Sequence, residues 1–542
     1  MSKYNISLHP SRRDFLKTSA AAIAATGVGG LGAVGAGTAH AESLSAGMTG
    51  GPMGFDGAER FQYNGEMSEG RAIEGIKALQ AAGTAPKKLR VLLPDGCVDQ
   101  ISNPFRKGAD TPMDVWKRET GIEVELVGAP VGDIFKKVMQ DVTTGGGTFD
   151  IYSGPWNSAG DLVAANGALD CSDFVSKYKP DWGDPERGVP TEELVKLLYT
   201  NNDKYYTIAL DGDFQTWYYL KGIYDKAEVQ EAFMKEVGRR LTPPNTWEEQ
   251  DQIAKFFTGK DFGNGPMYGT GSALGRFWGL PTFYMRLASM DNPNYYFFTE
   301  DGEPNLNTDL AVQAAEEHVR SLEWAHPDAL SFTFIECWNA IWNLQSPSMV
   351  TYTALPKFGD GFKEDGKTPK SRATGLIDSH LPLGRKFGDV INRRSILHYG
   401  ISAWVASTSK NAEAAYLFLQ WLSSTRTFTL IMCSPTGFFD PMQQANFNEP
   451  IVAANYGPYA METIPATVQR SVPGVNFAGQ TALDNALDDE LQAALTKQKT
   501  PREAMEAAQA KWEQIVRKQR RKGMVESIQA WRRTWPTIVD KI

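Results

Sequence analysis

From residue 88 onward the chain switches repeatedly between two hydrophobic periods. Residues 89–93 form a short, mostly apolar run, Ile122, Val124 and Leu126 alternate with Glu123 and Glu125, and residues 149–152 read as the next strand. The middle pattern has the two-residue period of a half-buried strand. Helical signals lie between these runs. Thr111-Pro112 supplies an N-cap and a first helical residue, Gly121 a stop, and residues 134–142 a second helix that ends in Thr143-Thr144-Gly145-Gly146-Gly147. Strand, helix, strand, helix, strand predicts an α/β fold with a parallel sheet and helices on its faces. Farther on, Ala414, Ala415, Leu417, Phe418 and Leu422 predict a helix over 409–422 that is buried on most sides. Thr500-Pro501-Arg502-Glu503 is a capping box, and it opens a helix with Ala504, Ala508, Trp512 and Ile515 on one face. The basic run 517–522 reads as the solvated end of that helix.

The first 41 residues follow a different logic. Ser11-Arg12-Arg13-Asp14-Phe15-Leu16-Lys17 precedes a weakly apolar Ala/Gly-rich run, and Thr38-Ala39-His40-Ala41 offers small residues two positions apart for cleavage. This is a twin-arginine signal peptide, so the expected location is the periplasm. Its loss takes the formal charge from -9 to -12, because the segment itself carries a net +3. An acidic surface of this kind argues against a nucleic-acid partner. The remaining chain, roughly 500 residues, is long enough for two or three domains with sizeable cores. Residues 42–87, rich in Gly, Met and Glu, read as an N-terminal extension leading into the first strand. Beyond the signal no uninterrupted apolar run approaches the length that spans a bilayer.

Cofactor chemistry finds little support. Cys97, Cys171, Cys337 and Cys433 are too scattered for a zinc site with short ligand spacing, and His318, His326, His380 and His398 are equally dispersed. An oxidising compartment permits a disulfide, but four cysteines allow three pairings and the spacing does not choose among them. The run Gly145-Gly146-Gly147 follows a helix and precedes a strand, the reverse of a phosphate-cradling loop. In Gly269-Thr270-Gly271-Ser272-Ala273-Leu274-Gly275 the third glycine falls one residue too far for a dinucleotide fingerprint. No cofactor or metal is expected.

The stretch that invites chemistry is 209–219. Asp211 and Asp213 flank Gly212, and Phe214, Trp217, Tyr218 and Tyr219 follow, of which Trp217 and Tyr219 read as strand core. Two carboxylates beside aromatic rings fit either the acid and base of a glycoside-active enzyme or acceptors for a hydroxylated ligand lying on ring faces. A third option is a cage of carboxylates and rings around a cation such as a polyamine. Residues two apart on a strand lie about 6.5–7 Å apart on one face. A carboxylate pair so placed sits on one side of a sugar and does not flank its bond.

Six stretches occur in an order that resembles one family: VWKRETGIEVELVG (115–128), TFDIYSGPWNSAGDLVAANGALD (148–170), DKYYTIALDGDFQTWYYLKGIYD (203–225), PPNTWEEQDQIAKFF (243–257), HYGISAWVASTSKNAEAAYLFLQWL (398–422) and KTPREAMEAAQAKWEQI (499–515). They resemble family 1 extracellular solute-binding proteins of sugar and polyol ABC importers. The resemblance covers nearly all of 88–520. Two places depart from the family pattern: 342–349 carries Gln345 and Ser348 where Gly and Ala are common, and Pro441-Met442-Gln443 stands where Pro-x-Arg is common. The resemblance implies a type II periplasmic binding protein fold, two α/β lobes joined by crossing strands with a ligand cleft between them. It implies lobes of 88–211 with 374–425 and of 214–372 with 426–542. It also implies a monomer without enzymatic activity that carries a sugar or polyol to membrane permease subunits. The ligand-binding residues it points to are Asp95, Trp156, Asn157, Asp211, Asp213, Phe214, Arg276, Trp278, Tyr352, Tyr399, Phe438 and Asp440, with Asp213 at the position of a ligand-binding carboxylate.

Overall fold

The computed structural model describes residues 67–103, 110–363, 365–434, 437–519 and 523–542. The twin-arginine segment and most of the expected extension lie outside the described residues.

The predicted alternation builds the first sheet. Its strands run in the order Glu123–Ala129, Lys88–Pro94, Ile151–Pro155, Ile401–Val405, Ile208–Ala209. The first three are parallel and the last two join antiparallel. The helix between the first two strands in sequence, Pro112–Thr120, begins at a capping box of Thr111 and Asp114 and stops at Gly121 in the left-handed conformation. A second sheet, Ser348–Tyr352, Gln215–Leu220, Ile377–His380, is antiparallel. Each sheet has its own apolar core. One core gathers Val91, Trp116, Ile151, Phe418 and Trp421; the other gathers Trp217, Phe283, Trp338 and Trp512.

The allotment of chain to the lobes differs from the expected boundaries at two places. Residues 377–380 pair with Gln215–Leu220, so the first lobe is re-entered only after 397. The chain then stays in the first lobe past 425. Phe428, Ile431, Met432, Val452, Ile464 and Val468 are buried in the core around Trp116. The helix Thr425–Met432 is also held there by Arg426, whose guanidinium pairs with the buried Glu69 at 2.6 Å. The chain therefore crosses between lobes at 210–214, at 397–401 and again near 468–471, where Ser395–Leu397 pairs with Ser471–Pro473.

The residues read as an extension also behave differently. The helix Ser68–Ala81 is part of the first lobe: Ala72, Ile73 and Ile76 are buried in its core, and Gln420 Nε2 donates to the Ser68 carbonyl at 2.9 Å. Gly75 permits the contact, since a Cβ there would lie 2.8 Å from both Leu417 and Tyr178. The apolar spacing of Ala72, Ile73 and Ile76 was the available signal. Ile76→Ala is expected to lower the unfolding free energy by about 2–5 kcal/mol, the range for truncating a fully buried isoleucine. A urea midpoint corresponding to less than about 1 kcal/mol would show that this helix is not an integral part of the lobe.

Candidate functional site

The site forms where the first crossover meets the loop that follows Thr425–Met432. Gly212 N–H donates to the Asp440 carbonyl at 3.0 Å and Phe214 N–H to the Gly212 carbonyl at 2.7 Å, a tight turn at the junction of the two sheets. Position 212 has no room for a side chain, because a Cβ would lie 2.5 Å from the Pro441 carbonyl oxygen. The Asp-Gly-Asp sequence follows from this: a glycine where backbones touch, with a carboxylate on either side.

The carboxylates of Asp211, Asp213 and Asp440 come together, each offering an oxygen within 4.8 Å of the others. Their roles differ. Asp211 accepts the Ile401 N–H at 3.1 Å and the Asp440 N–H at 2.9 Å, so both its oxygens tie the crossovers to each other. Asp440 accepts hydrogen bonds from the Tyr456 hydroxyl at 2.8 Å and from the Thr353 hydroxyl. Asp213 is half-buried, and its side-chain partner among the described residues is the Asp440 carboxylate, with which it shares a hydrogen bond. Burial, and then the neighbouring carboxylates, raises the Asp211 and Asp213 carboxyls well above the usual range, while Asp440 is pushed up to about 6 by burial against the opposing pull of Thr353, Lys357 and Tyr456. The nearby cation, Lys357, is buried and is committed to the carbonyl oxygens of Met432 and Gly437; burial draws it down to about 8.

Aromatic side chains stand beside the acids. Tyr352 pairs in register with Gln215, just past the turn at Asp213, and burial together with the nearby Asp213 and Asp211 carboxylates pushes its hydroxyl well above the usual tyrosine range. Trp278 and Phe334 meet the Tyr352 ring edge-on at 6.3 and 5.9 Å, and Phe438 meets Phe334 at 6.2 Å. Tyr399 lies 6.0 Å from Trp278 and is stacked by Phe277 at 4.0 Å with 12° between the rings. Phe277 has a backbone φ of +70°, an uncommon conformation for a bulky residue; its carbonyl accepts the Tyr399 hydroxyl at 2.7 Å and its N–H donates to Asp488 at 2.7 Å. The Tyr352 hydroxyl has no partner among the described residues.

Of the residues named from sequence, Asp211, Asp213, Trp278, Tyr352, Tyr399, Phe438 and Asp440 are therefore brought together. The others lie apart. Phe214 is fully buried in the first-lobe core. Trp156 is buried beside Leu197, Asn201, Pro473 and Trp531 at a separate small cavity, although its backbone N–H reaches the Gly400 carbonyl at 2.8 Å. Asn157 N–H donates to the His398 carbonyl at 3.1 Å. Arg276 is exposed and paired with Asp489. Asp95 is exposed in the first turn of Asp95–Ser102. The residues that sequence reasoning missed are Phe277, Phe334, Thr353, Lys357 and Tyr456; of these only Thr353, next to Tyr352, carried a positional hint. The four cysteines are buried and unpaired, so no bridge forms among them.

The model of the bacterial extracellular solute-binding protein family matches residues 100–427, well over half of the chain. The chain belongs to this family. A twin-arginine signal model matches residues 9–29, which makes this solute-binding protein a periplasmic one exported by that route. It is the solute-binding component of an ABC transporter. A probable amino-acid ABC transporter periplasmic-binding protein of Sinorhizobium fredii is 23% identical over 467 residues, covering 83% of this chain and 95% of that protein. Among solved structures, a solute-binding protein of Agrobacterium radiobacter in complex with ribitol superposes with a TM-score of 0.62 at 16% identity, covering 79% of this chain and 98% of that one. Another, of Agrobacterium vitis with bound D-mannitol, gives 0.59 at 17% identity, covering 80% and 99%. Maltose-bound MalE3 of T. maritima gives 0.58 at 14% identity, covering 78% and 98%. At these identities the likeness establishes the fold, the type II periplasmic binding protein fold.

Proposed function

We propose that this solute-binding protein takes a carbohydrate or polyol into the cleft between its lobes, as a monomer, and passes it to the permease subunits of an ABC importer. The observation that carries this reading is Asp213, half-buried with no N–H or hydroxyl donor among the described residues, close to Tyr352, whose ring meets Trp278. Clustered hydroxyls can both donate to and accept from a carboxyl group, so they match Asp213 in either protonation state, and the C–H faces of a sugar pack on aromatic rings. The polyol and sugar ligands named for the structural neighbours support the same class. An α-amino acid fits less well, since it needs a cation for its carboxylate, and Lys357 is spent on two backbone carbonyls. A glycoside-active enzyme fits less well too, because Asp211 accepts two backbone N–H groups and has no freedom to act as acid or base.

A thermal-shift screen of ribitol, mannitol, maltose and related compounds tests the reading. A ligand at about 100 times its Kd is expected to add roughly 2.7 kcal/mol to the unfolding free energy. Asp213→Ala is expected to weaken the best of them about ten- to a hundredfold, the equivalent of one hydrogen bond to a charged group, with apo stability unchanged. Product accumulating with time in any mixture would favour the enzyme, and unaltered affinity in Asp213→Ala would remove the carboxylate from the site.

A further inference from the structure

Three buried or half-buried carboxylates within 4.8 Å of one another are a costly arrangement to close a cleft over. A neutral polyol hydroxyl supplies a hydrogen bond to Asp213 and no charge. Lys357 supplies one charge, yet its donors face the Met432 and Gly437 carbonyls and none reaches the acids. Among the described residues Asp211 and Asp440 each accept two protein hydrogen bonds, while Asp213 has only the Asp440 carboxylate as a side-chain partner; it is the acid of the three most open to an added donor, and the other two add their field to it.

A second feature points the same way and is independent of the acids. Tyr352 is 6% exposed, its hydroxyl has no partner within hydrogen-bond geometry among the described residues, and the Asp213 and Asp211 carboxylates lie close enough to push it well above the usual tyrosine range. A buried hydroxyl is seldom left unpartnered unless something binds there. Around it Trp278 and Phe334 are set edge-on to the Tyr352 ring, at 87° and 81°. Aromatic walls beside a carboxylate are the surroundings a cation takes, because the ring faces carry negative electrostatic potential.

We propose that the ligand of this site is a hydroxylated amine, an amino sugar or amino-alditol, whose ammonium group sits on Asp213 beside the Tyr352 hydroxyl. This rests on the carbohydrate or polyol reading given above and narrows it. The ammonium donates to Asp213 and to the Tyr352 oxygen, and its charge offsets the three acids. The remaining hydroxyls and C–H faces pack toward Trp278 and Tyr399.

Calorimetric titration of the mature protein at one pH and ionic strength tests it with matched pairs: D-glucitol against 1-amino-1-deoxy-D-glucitol, ribitol against its 1-amino analogue, and glucose against glucosamine, with spermidine alongside. The aminated member of at least one pair is expected to bind ten times or more tighter than its neutral partner. Asp213→Asn is expected to abolish that preference, because the amide keeps an acceptor oxygen for a hydroxyl and loses the charge. Tyr352→Phe is expected to weaken the amine severalfold and the neutral partner less. Neutral members binding as well as the aminated ones would overturn the inference and leave the polyol reading standing. Binding of spermidine alone would overturn both, since a hydroxylated ligand is part of each. Failure of every amine, or an amine preference that survives in Asp213→Asn, would overturn the inference whatever the neutral sugars do.

Discussion

Asp211→Ala is expected to destabilise the folded protein by about 2–5 kcal/mol, because it strands two buried backbone donors at once, each costing about 1–3 kcal/mol. The donors are the Ile401 N–H and the Asp440 N–H, and they belong to the two segments that Asp211 ties to the first crossover. Asp211→Asn keeps one acceptor oxygen and should lose about half as much. The pH dependence separates this role from a surface one. Burial and the Asp440 charge hold the folded Asp211 carboxyl above its unfolded value. The folded state therefore binds the extra proton, and the stability linked to it is fully present below the unfolded carboxylate pKa and is lost as pH rises through the folded one. Asn does not titrate, so the gap between wild type and Asp211→Asn should narrow as pH rises from about 4 toward neutrality. Urea unfolding across that window measures it. A gap that is constant with pH would mean that Asp211 ionises as freely in the folded chain as in the unfolded one.

Gly212→Ala is expected to damage folding and binding together. The added Cβ would lie 2.5 Å from the Pro441 carbonyl oxygen and 2.8 Å from that of Asp440, both backbone atoms without a rotamer to yield. Relief requires the crossover to move away from the loop. That movement costs the strain of overpacking, about 1–3 kcal/mol, and the Gly212 N–H bond to the Asp440 carbonyl, about 0.5–1.5 kcal/mol. The expected loss of stability is about 2–4 kcal/mol. Ligand affinity should fall more than in Asp213→Ala, because all three acids are positioned by this contact. A variant that unfolds at the wild-type midpoint and binds normally would show that the two segments do not touch in solution.

The comparison of Asp211 with Asp213 shows how far the sequence carries. The Asp-Gly-Asp-Phe stretch marked the site, and the resemblance of 203–225 to its family placed it at the crossover. The resemblance put Asp213, and not Asp211, at the position of a ligand-binding carboxylate; that Asp211 is taken up by backbone donors was not legible. This depends on hydrogen bonds to residues 190 and 229 positions away, and no local pattern encodes them. The same distinction separates the aromatic residues. Trp278, Tyr352, Tyr399 and Phe438 were found through the family pattern, whereas Phe277 and Phe334 join them only because the loops of both lobes converge.

The sequence by itself determined whatever rests on interactions between residues three or four apart and on periodicity. This includes the N-cap at Thr111 and the capping box of Thr500 with Glu503, which form as predicted, and the strands of the opening α/β unit. It also determined export, since twin arginines ahead of an apolar run act as a linear address. Tertiary structure alone decided what depends on which apolar face meets which core. The helix Ser68–Ala81 became part of the first lobe because Ile73 and Ile76 find the helix Ala412–Leu422, and 425–468 joined the same lobe because Phe428, Ile431 and Val452 bury there. An apolar stripe specifies that a face must be covered and leaves open by what, because the hydrophobic effect carries no direction. The cluster of Asp211, Asp213 and Asp440 arises in the same way: Asp440, more than two hundred residues beyond the Asp211/Asp213 pair, is brought to it by the fold, where its own N–H donates to Asp211.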